Sequence, residues 1–208
     1  MGLLDDLDAA ERKLREPLRS RLLRRIGGGL AVAGVLMCLL GIFGGQWWTL
    51  EFDHGPISIG LGEIQYCDRS GKDCEELPAG EFARYAASRS GGERADVERM
   101  ASWLDRRKPA RIALGVALLA CLVLAGMTLG PQRHDRTRVV AATGAVVGVG
   151  AFVLVWRFAG TTPFDLLSRS LHAYVGIAGL VDLLVGAALA GIPSPHARIP
   201  TAKVVTRA

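Results

Sequence analysis

The sequence predicts an all-α membrane protein, a bundle of four membrane-spanning helices whose first outer loop adds a small antiparallel β-sheet and a helix. Two observations carry this. Half of the 208 residues are hydrophobic although 22% are charged, and mean hydropathy is positive. The two facts coexist because the apolar residues are gathered into long blocks separated by charged ones. Four of those blocks approach the ~20 residues needed to cross ~30 Å of hydrocarbon at ~1.5 Å per residue. No segment with strand periodicity is long enough to compete, which excludes a β-barrel.

Residues 1–25 read as a basic cytoplasmic segment with helical amphipathicity, Leu3, Leu7, Leu14, Leu18 and Leu22 falling near one face. Pro17 should kink or restart that helix. The segment serves either to attach to anionic lipid or, more simply, as a topology signal. The first span is expected over 26–46 and the others over 111–129, 139–156 and 171–192. The first apolar run exceeds a signal-peptide core, and Val35-Leu36-Met37 before Cys38 lacks the small residue of a lipoprotein cleavage site, so an uncleaved helix is expected.

Orientation follows from Lys and Arg. Arg12, Lys13, Arg15, Arg19, Arg21, Arg24 and Arg25 precede the first span, Arg133, Arg136 and Arg138 join the second to the third, and Arg198, Lys203 and Arg207 occupy the tail, 193–208. Four spans put all three segments on one side, which the positive-inside rule makes cytoplasmic. Arg106, Arg107 and Lys108 run against this assignment, just before the second span and on the outer side.

The outer loop, 47–110, opens with Trp47-Trp48-Thr49-Leu50-Glu51-Phe52 and continues through Ile57, Ile59, Leu61 and Ile64. The alternation predicts short strands, with His54-Gly55-Pro56 as a turn. Residues 81–88 read as a helix broken by Gly91-Gly92. A second, amphipathic helix follows over 93–107, with Val97, Met100, Trp103 and Leu104 on one face and Pro109 ending it. The last loop is short and holds Thr161-Thr162-Pro163-Phe164. Within the spans, small residues recur every fourth position, as Gly41 and Gly45, then Ala113, Ala117, Cys121 and Ala125, then Gly144 and Gly148, then Gly186 and Ala190. Such stripes let helix backbones approach closely, here within one compact bundle rather than between copies.

Few residues suggest chemistry. Cys67 and Cys74 sit close together in the outer loop and read as a structural disulfide worth ~2–3 kcal/mol. A thiol oxidoreductase would more often use Cys-x-x-Cys, which is absent; Cys38 and Cys121 within spans read as small packing residues. Asp182 is the one acidic residue deep in a span and costs at least ~2.5–3.5 kcal/mol there unless it finds a polar partner. Thr128 and Thr143 are candidates. The residue serves either an ion or proton path or, more simply, an interhelical hydrogen bond. His54, His134, His172 and His196 are scattered without metal-ligand spacing, so no metal and no cofactor is expected. The basic segments lack interleaved aromatics, so nucleic acid is not an expected partner. With no Asn there is no N-glycosylation site.

Taken in order, several of these motifs resemble the tetraspan superfamily of claudins, peripheral myelin protein, epithelial membrane proteins and calcium-channel gamma subunits. Gln46-Trp47-Trp48 stands where that family has a Trp after the first span, and Gly60-Leu61-Gly62 matches the first two positions of its Gly-Leu-Trp. Cys67 and Cys74 match its two Cys, Arg111 its Arg at the mouth of the second span, and Tyr174-Val175-Gly176 its Leu-Tyr-x-Gly-Trp. Gly62 stands at the third position, in place of the Trp of Gly-Leu-Trp, the Cys spacing is shorter than usual, the stretch between Trp48 and Gly60 is short, and 79–107 is longer. The resemblance covers 26–192 and implies a left-handed bundle under an extracellular sheet. It also implies non-enzymatic work by protein contact in a plasma or bacterial inner membrane, as adhesion, barrier or accessory subunit. The partner would be another copy or another membrane protein. Trp47 and Trp48 would hold the outer loop, although an aromatic pair at this depth also suits anchoring at the membrane interface. A transporter or channel subunit using Asp182, and a membrane thiol–disulfide oxidoreductase, are the alternatives.

Overall fold

A computed structural model describes residues 3–52, 55–68, 73–89, 94–130, 134–160, 162 and 167–192. About three quarters of the described residues are helical. Helix α1 (Leu3–Phe43) is followed by strands β1 (Trp48–Phe52), β2 (Gly55–Ile59), β3 (Ile64–Cys67) and β4 (Cys74–Glu76). Helices α2 (Ala79–Arg89), α3 (Arg94–Leu104), α4 (Arg107–Leu129) and α5 (His134–Ala159) come next, then β5 (Ser168–Arg169) and α6 (Leu171–Gly191). Among the described residues, four helical stretches are long and apolar enough to cross a membrane, in α1, α4, α5 and α6.

These four helices pack as a ring. α1 lies most extensively against α6 and next against α4, while α5 closes the ring between α4 and α6. Small residues set the approach. A Cβ on Gly27 would come within 2.8 Å of the Gly186 carbonyl, one on Gly34 within 3.1 Å of the Gly179 carbonyl, and one on Gly41 within 2.8 Å of Gly176 Cα. The α1 stripe is thus Gly27, Gly34 and Gly41, a seven-residue repeat, rather than Gly41 with Gly45. Gly45 lies beyond the helix at φ 79°, and a Cβ there would meet nothing within 4 Å. Ala113, Ala117, Cys121 and Ala125 all face inward on α4 as expected. The outward faces carry exposed Leu36, Leu40, Ile112, Leu119, Val146 and Val153, an apolar belt that water would not tolerate at this extent.

Several boundaries differ from expectation. α1 continues through Pro17 without a break; the side chains of residues 3–18, on which the expected amphipathic face rests, lie outside the described residues. The first span stops at Phe43, because Gly44 and Gly45 turn the chain toward β1. Pro109 does not end a helix but sits in the first turn of α4, where its missing N–H has no partner to lose. The preceding helix stops instead at Leu104, and a turn at Asp105-Arg106 separates it from α4. The β1–β2 register pairs Phe52 with Gly55 and Glu51 with Pro56, so Gly55 and Pro56 belong to β2 rather than to a turn, while His54 lies outside the described residues. Thr161, Pro163, Phe164, Gly91-Gly92 and the tail, 193–208, also lie outside them.

The sheet has the order β4-β3-β2-β1-β5, all neighbours antiparallel. Four strands come from the first loop, and β5 comes from the loop before α6, where no strand was expected. Two residues are too few to give a periodic signal. The Cys67–Cys74 disulfide joins directly opposed residues of β3 and β4. One continuous core runs from the bundle into this sheet and α2–α3.

Candidate functional site

Trp47 and Trp48 do not face lipid. Both are buried, at 0% and 1% exposure, because the chain leaving α1 turns beneath the sheet. Trp47 Nε1 donates to the Gly41 carbonyl at 2.6 Å, satisfying one of the orphan acceptors in the last turn of α1. Its amide donates to the Ile59 carbonyl at 2.8 Å, and its own carbonyl accepts from the Ser170 amide at 3.0 Å. Ser170 Oγ donates to the neighbouring Gln46 carbonyl. One residue therefore ties together the end of α1, strand β2 and the start of α6.

The indole of Trp47 rests on Gly176, where a Cβ would stand 2.9 Å from the ring. Beyond it lies Phe158 at 6.0 Å, and Phe158 stacks on Trp103 at 5.0 Å. Trp103 meets Trp48 edge-on at 6.0 Å and donates its Nε1–H to the Phe158 carbonyl at 3.2 Å. The Arg169 guanidinium lies 5.4 Å from the Trp48 ring. Each aromatic pair adds ~0.5–1.5 kcal/mol beyond area burial. This hub welds β1, α3 and β5 to the ends of α1 and α5. Phe158 and Arg169 gave no advance signal, since the hub depends on bringing elements distant in sequence together.

The other singled-out residues divide. Gly60 and Leu61 form the β2–β3 turn, where the Gly60 amide donates to the Glu63 carbonyl at 2.8 Å. A side chain on Gly60 would strike the Gly45 carbonyl. Leu61 is buried. Gly62 faces Arg111, a Cβ there standing 3.4 Å from Nη1, so the glycine turn and the helix-mouth arginine meet in space. Gly176 joins the hub, whereas Tyr174 points away, 54% exposed.

Asp182 lies beside neither proposed threonine. Thr128 Oγ1 donates within its own helix, to Leu124 at 2.8 Å and Ala125 at 3.1 Å, and Thr143 is exposed on α5. Asp182 instead borders the Gly34 step of the α1–α6 contact. A Cβ on Gly34 would meet Cys121 Sγ at 3.1 Å and Asp182 Cβ at 3.4 Å. Cys38 and Cys121 are fully buried free thiols, close enough to share a hydrogen bond. Arg24, one of the orienting basic residues, is 4% exposed and donates to the Ile192 carbonyl at 3.2 Å. There it places a cation at the C-terminus of α6. Among the described residues, no group of three His, Cys, Asp or Glu could hold a metal.

On the face it shares with Trp48 and Ile59, the sheet carries a groove of about 440 Å³ between β2–β3 and α2, lined by Ile57, Tyr66, Leu77, Glu81 and Tyr85. The register sets Ile57, Tyr66 and Glu75 in one row across three strands, so the row grades from apolar to acidic toward the β4 edge. No protein-family model matches the chain, and no curated protein matches it in sequence.

Proposed function

We propose that this chain is a multi-pass membrane protein of claudin-like design, with both ends cytoplasmic and the sheet outside, acting by protein contact rather than catalysis. The observation that carries the reading is the rigid seating of a disulfide-closed sheet on the helix ends. Trp47 and Trp48 are spent on that seating, while the same sheet face, farther along toward β3 and α2, offers the groove beside Glu81 and Tyr85. A fixed platform with a partly apolar recess suits recognition, because little ordering entropy remains to be lost on binding.

Two arms test it. A membrane-impermeant maleimide applied to intact cells should label wild type only after mild reduction, and Cys67→Ser at once through Cys74. A photo-crosslinking residue at Tyr85 should then give one discrete product in living cells, and one at lipid-facing Leu119 none. Labelling only after permeabilisation would overturn the orientation. An accessible sheet with no product at Tyr85 would overturn the contact role.

A further inference from the structure

Arg106, Arg107 and Lys108 stand at the sheet end of the bundle, at the other end of the helices from Arg24, Arg25, Arg136 and Arg138, and the fold gives part of that trio a use. Arg107 turns inward and is half-buried, its Nε donating to the Leu104 carbonyl at 3.2 Å. Arg106 turns toward α5, where its Nη1 donates to the Arg157 carbonyl at 3.3 Å. The result is a recess of about 290 Å³ lined by Ser102, Asp105, Arg106, Pro109, Leu154 and Arg157. The Arg157 side chain is exposed and makes no hydrogen bond or ion pair among the described residues.

A second recess of about 290 Å³ lies farther along the same pair of helices, between Val116, Leu119 and Val123 of α4 and Val140, Thr143 and Val147 of α5. The two are aligned. Pro109, Val116 and Val123 recur every seven residues on α4, as do Val140, Val147 and Leu154 on α5, and that spacing keeps a helix face. Gly150 falls between Val147 and Leu154, and a Cβ there would meet nothing within 4 Å, so α5 puts no side chain into the seam at that position. From Pro109 to Val123 is ~21 Å at ~1.5 Å per residue. One leaflet supplies about 15 Å of hydrocarbon and a further ~5–7 Å of headgroup region. Trp156, half-exposed beside Arg157, sits where interfacial aromatics sit.

We infer that the α4–α5 seam binds one aminophospholipid of the sheet-side leaflet, its phosphate on Arg106 and Arg157, its primary ammonium on Asp105, and an acyl chain in the apolar recess below. Guanidinium groups pair with phosphate oxygens through charge-assisted, often bidentate bonds. The carboxylate selects the headgroup, since a purely anionic lipid would bring its charge against Asp105 while a terminal ammonium neutralises it. The exception to the positive-inside pattern then serves lipid recognition rather than topology.

This inference rests on the membrane-spanning reading, so the full chain is first washed in alkaline carbonate. Release from the membrane pellet would sink that reading itself. For a chain that stays, native mass spectrometry of the delipidated protein is run with added phosphatidylethanolamine, phosphatidylglycerol or diacylglycerol. Phosphatidylethanolamine should be retained one per chain, in preference to both others. Arg157→Gln should weaken it roughly tenfold, the range of a lost charge-assisted bond, and Asp105→Asn should erase the preference over phosphatidylglycerol. Arg136→Gln, at the opposite end of α5, should change nothing. Equal retention of diacylglycerol or phosphatidylglycerol by wild type, or unchanged binding in Arg157→Gln, would overturn the assignment. Because Arg157 holds no other group through its side chain, misfolding would not account for the loss, and an unaltered melting temperature checks this.

Discussion

Replacing Gly41 by Ala tests whether the α1–α6 contact is set by backbone approach. The added Cβ would stand 2.8 Å from Gly176 Cα and 3.5 Å from Gly176 N. Carbon atoms pack best at ~3.5–4.0 Å, so the helices must separate by ~0.7–1.2 Å, and no side-chain rotation can relieve a clash with backbone. Overpacking costs ~1–3 kcal/mol, against ~1 kcal/mol that Ala gains over Gly in helix propensity. A net loss of up to ~2 kcal/mol is expected, toward the upper end because the obstruction is backbone. Gly115→Ala is the matched control, since its Cβ would meet nothing within 4 Å, and it should be neutral or stabilising by up to ~1 kcal/mol. Gly176→Ala differs again. Its Cβ would lie 2.9 Å from the outer carbons of the Trp47 indole, atoms that phenylalanine lacks, so Trp47→Phe should partly rescue it in a double-mutant cycle. Unfolding in mixed micelles, followed by tryptophan fluorescence, measures all four variants. Gly41→Ala proving as stable as Gly115→Ala would refute the close-approach argument.

Two further outcomes are expected on the sheet side. Cys67→Ser should cost ~2–3 kcal/mol of loop-closure stabilisation, seen as faster proteolysis between β3 and β4 without loss of the helical signal; unchanged cleavage would mean the bridge constrains little. Trp103→Ala removes a buried ring, 3% exposed, and its bond to the Phe158 carbonyl. A change of that kind costs ~3–5 kcal/mol. Hydrogen exchange should accelerate in β1 and α3 while α6 stays protected, and uniform acceleration would mean that sheet and bundle unfold as one unit.

What the sequence determined by itself is what depends on local composition and period. The four long apolar helices follow from block length. The disulfide-linked strands follow from two cysteines in a β-patterned loop, and the inward stripe from Ala113 to Ala125 follows from its four-residue spacing. Only the tertiary structure decided what depends on contacts between distant segments. The glycine repeat of α1 became legible once α6 lay against it, since a seven-residue spacing matters only through the partner it admits. Trp47 and Trp48 read equally as interface anchors or as loop supports. Their burial was settled by Phe158, Trp103 and Gly176, which arrive from three other elements. Asp182 sits next to Cys121 rather than a threonine because the rotation of each helix about its axis is fixed by packing across the whole bundle. The same packing turned Arg106 toward Arg157 and Arg107 away. Two adjacent arginines at a helix start point about 100° apart, and no reading of the chain alone could say which would turn toward α5.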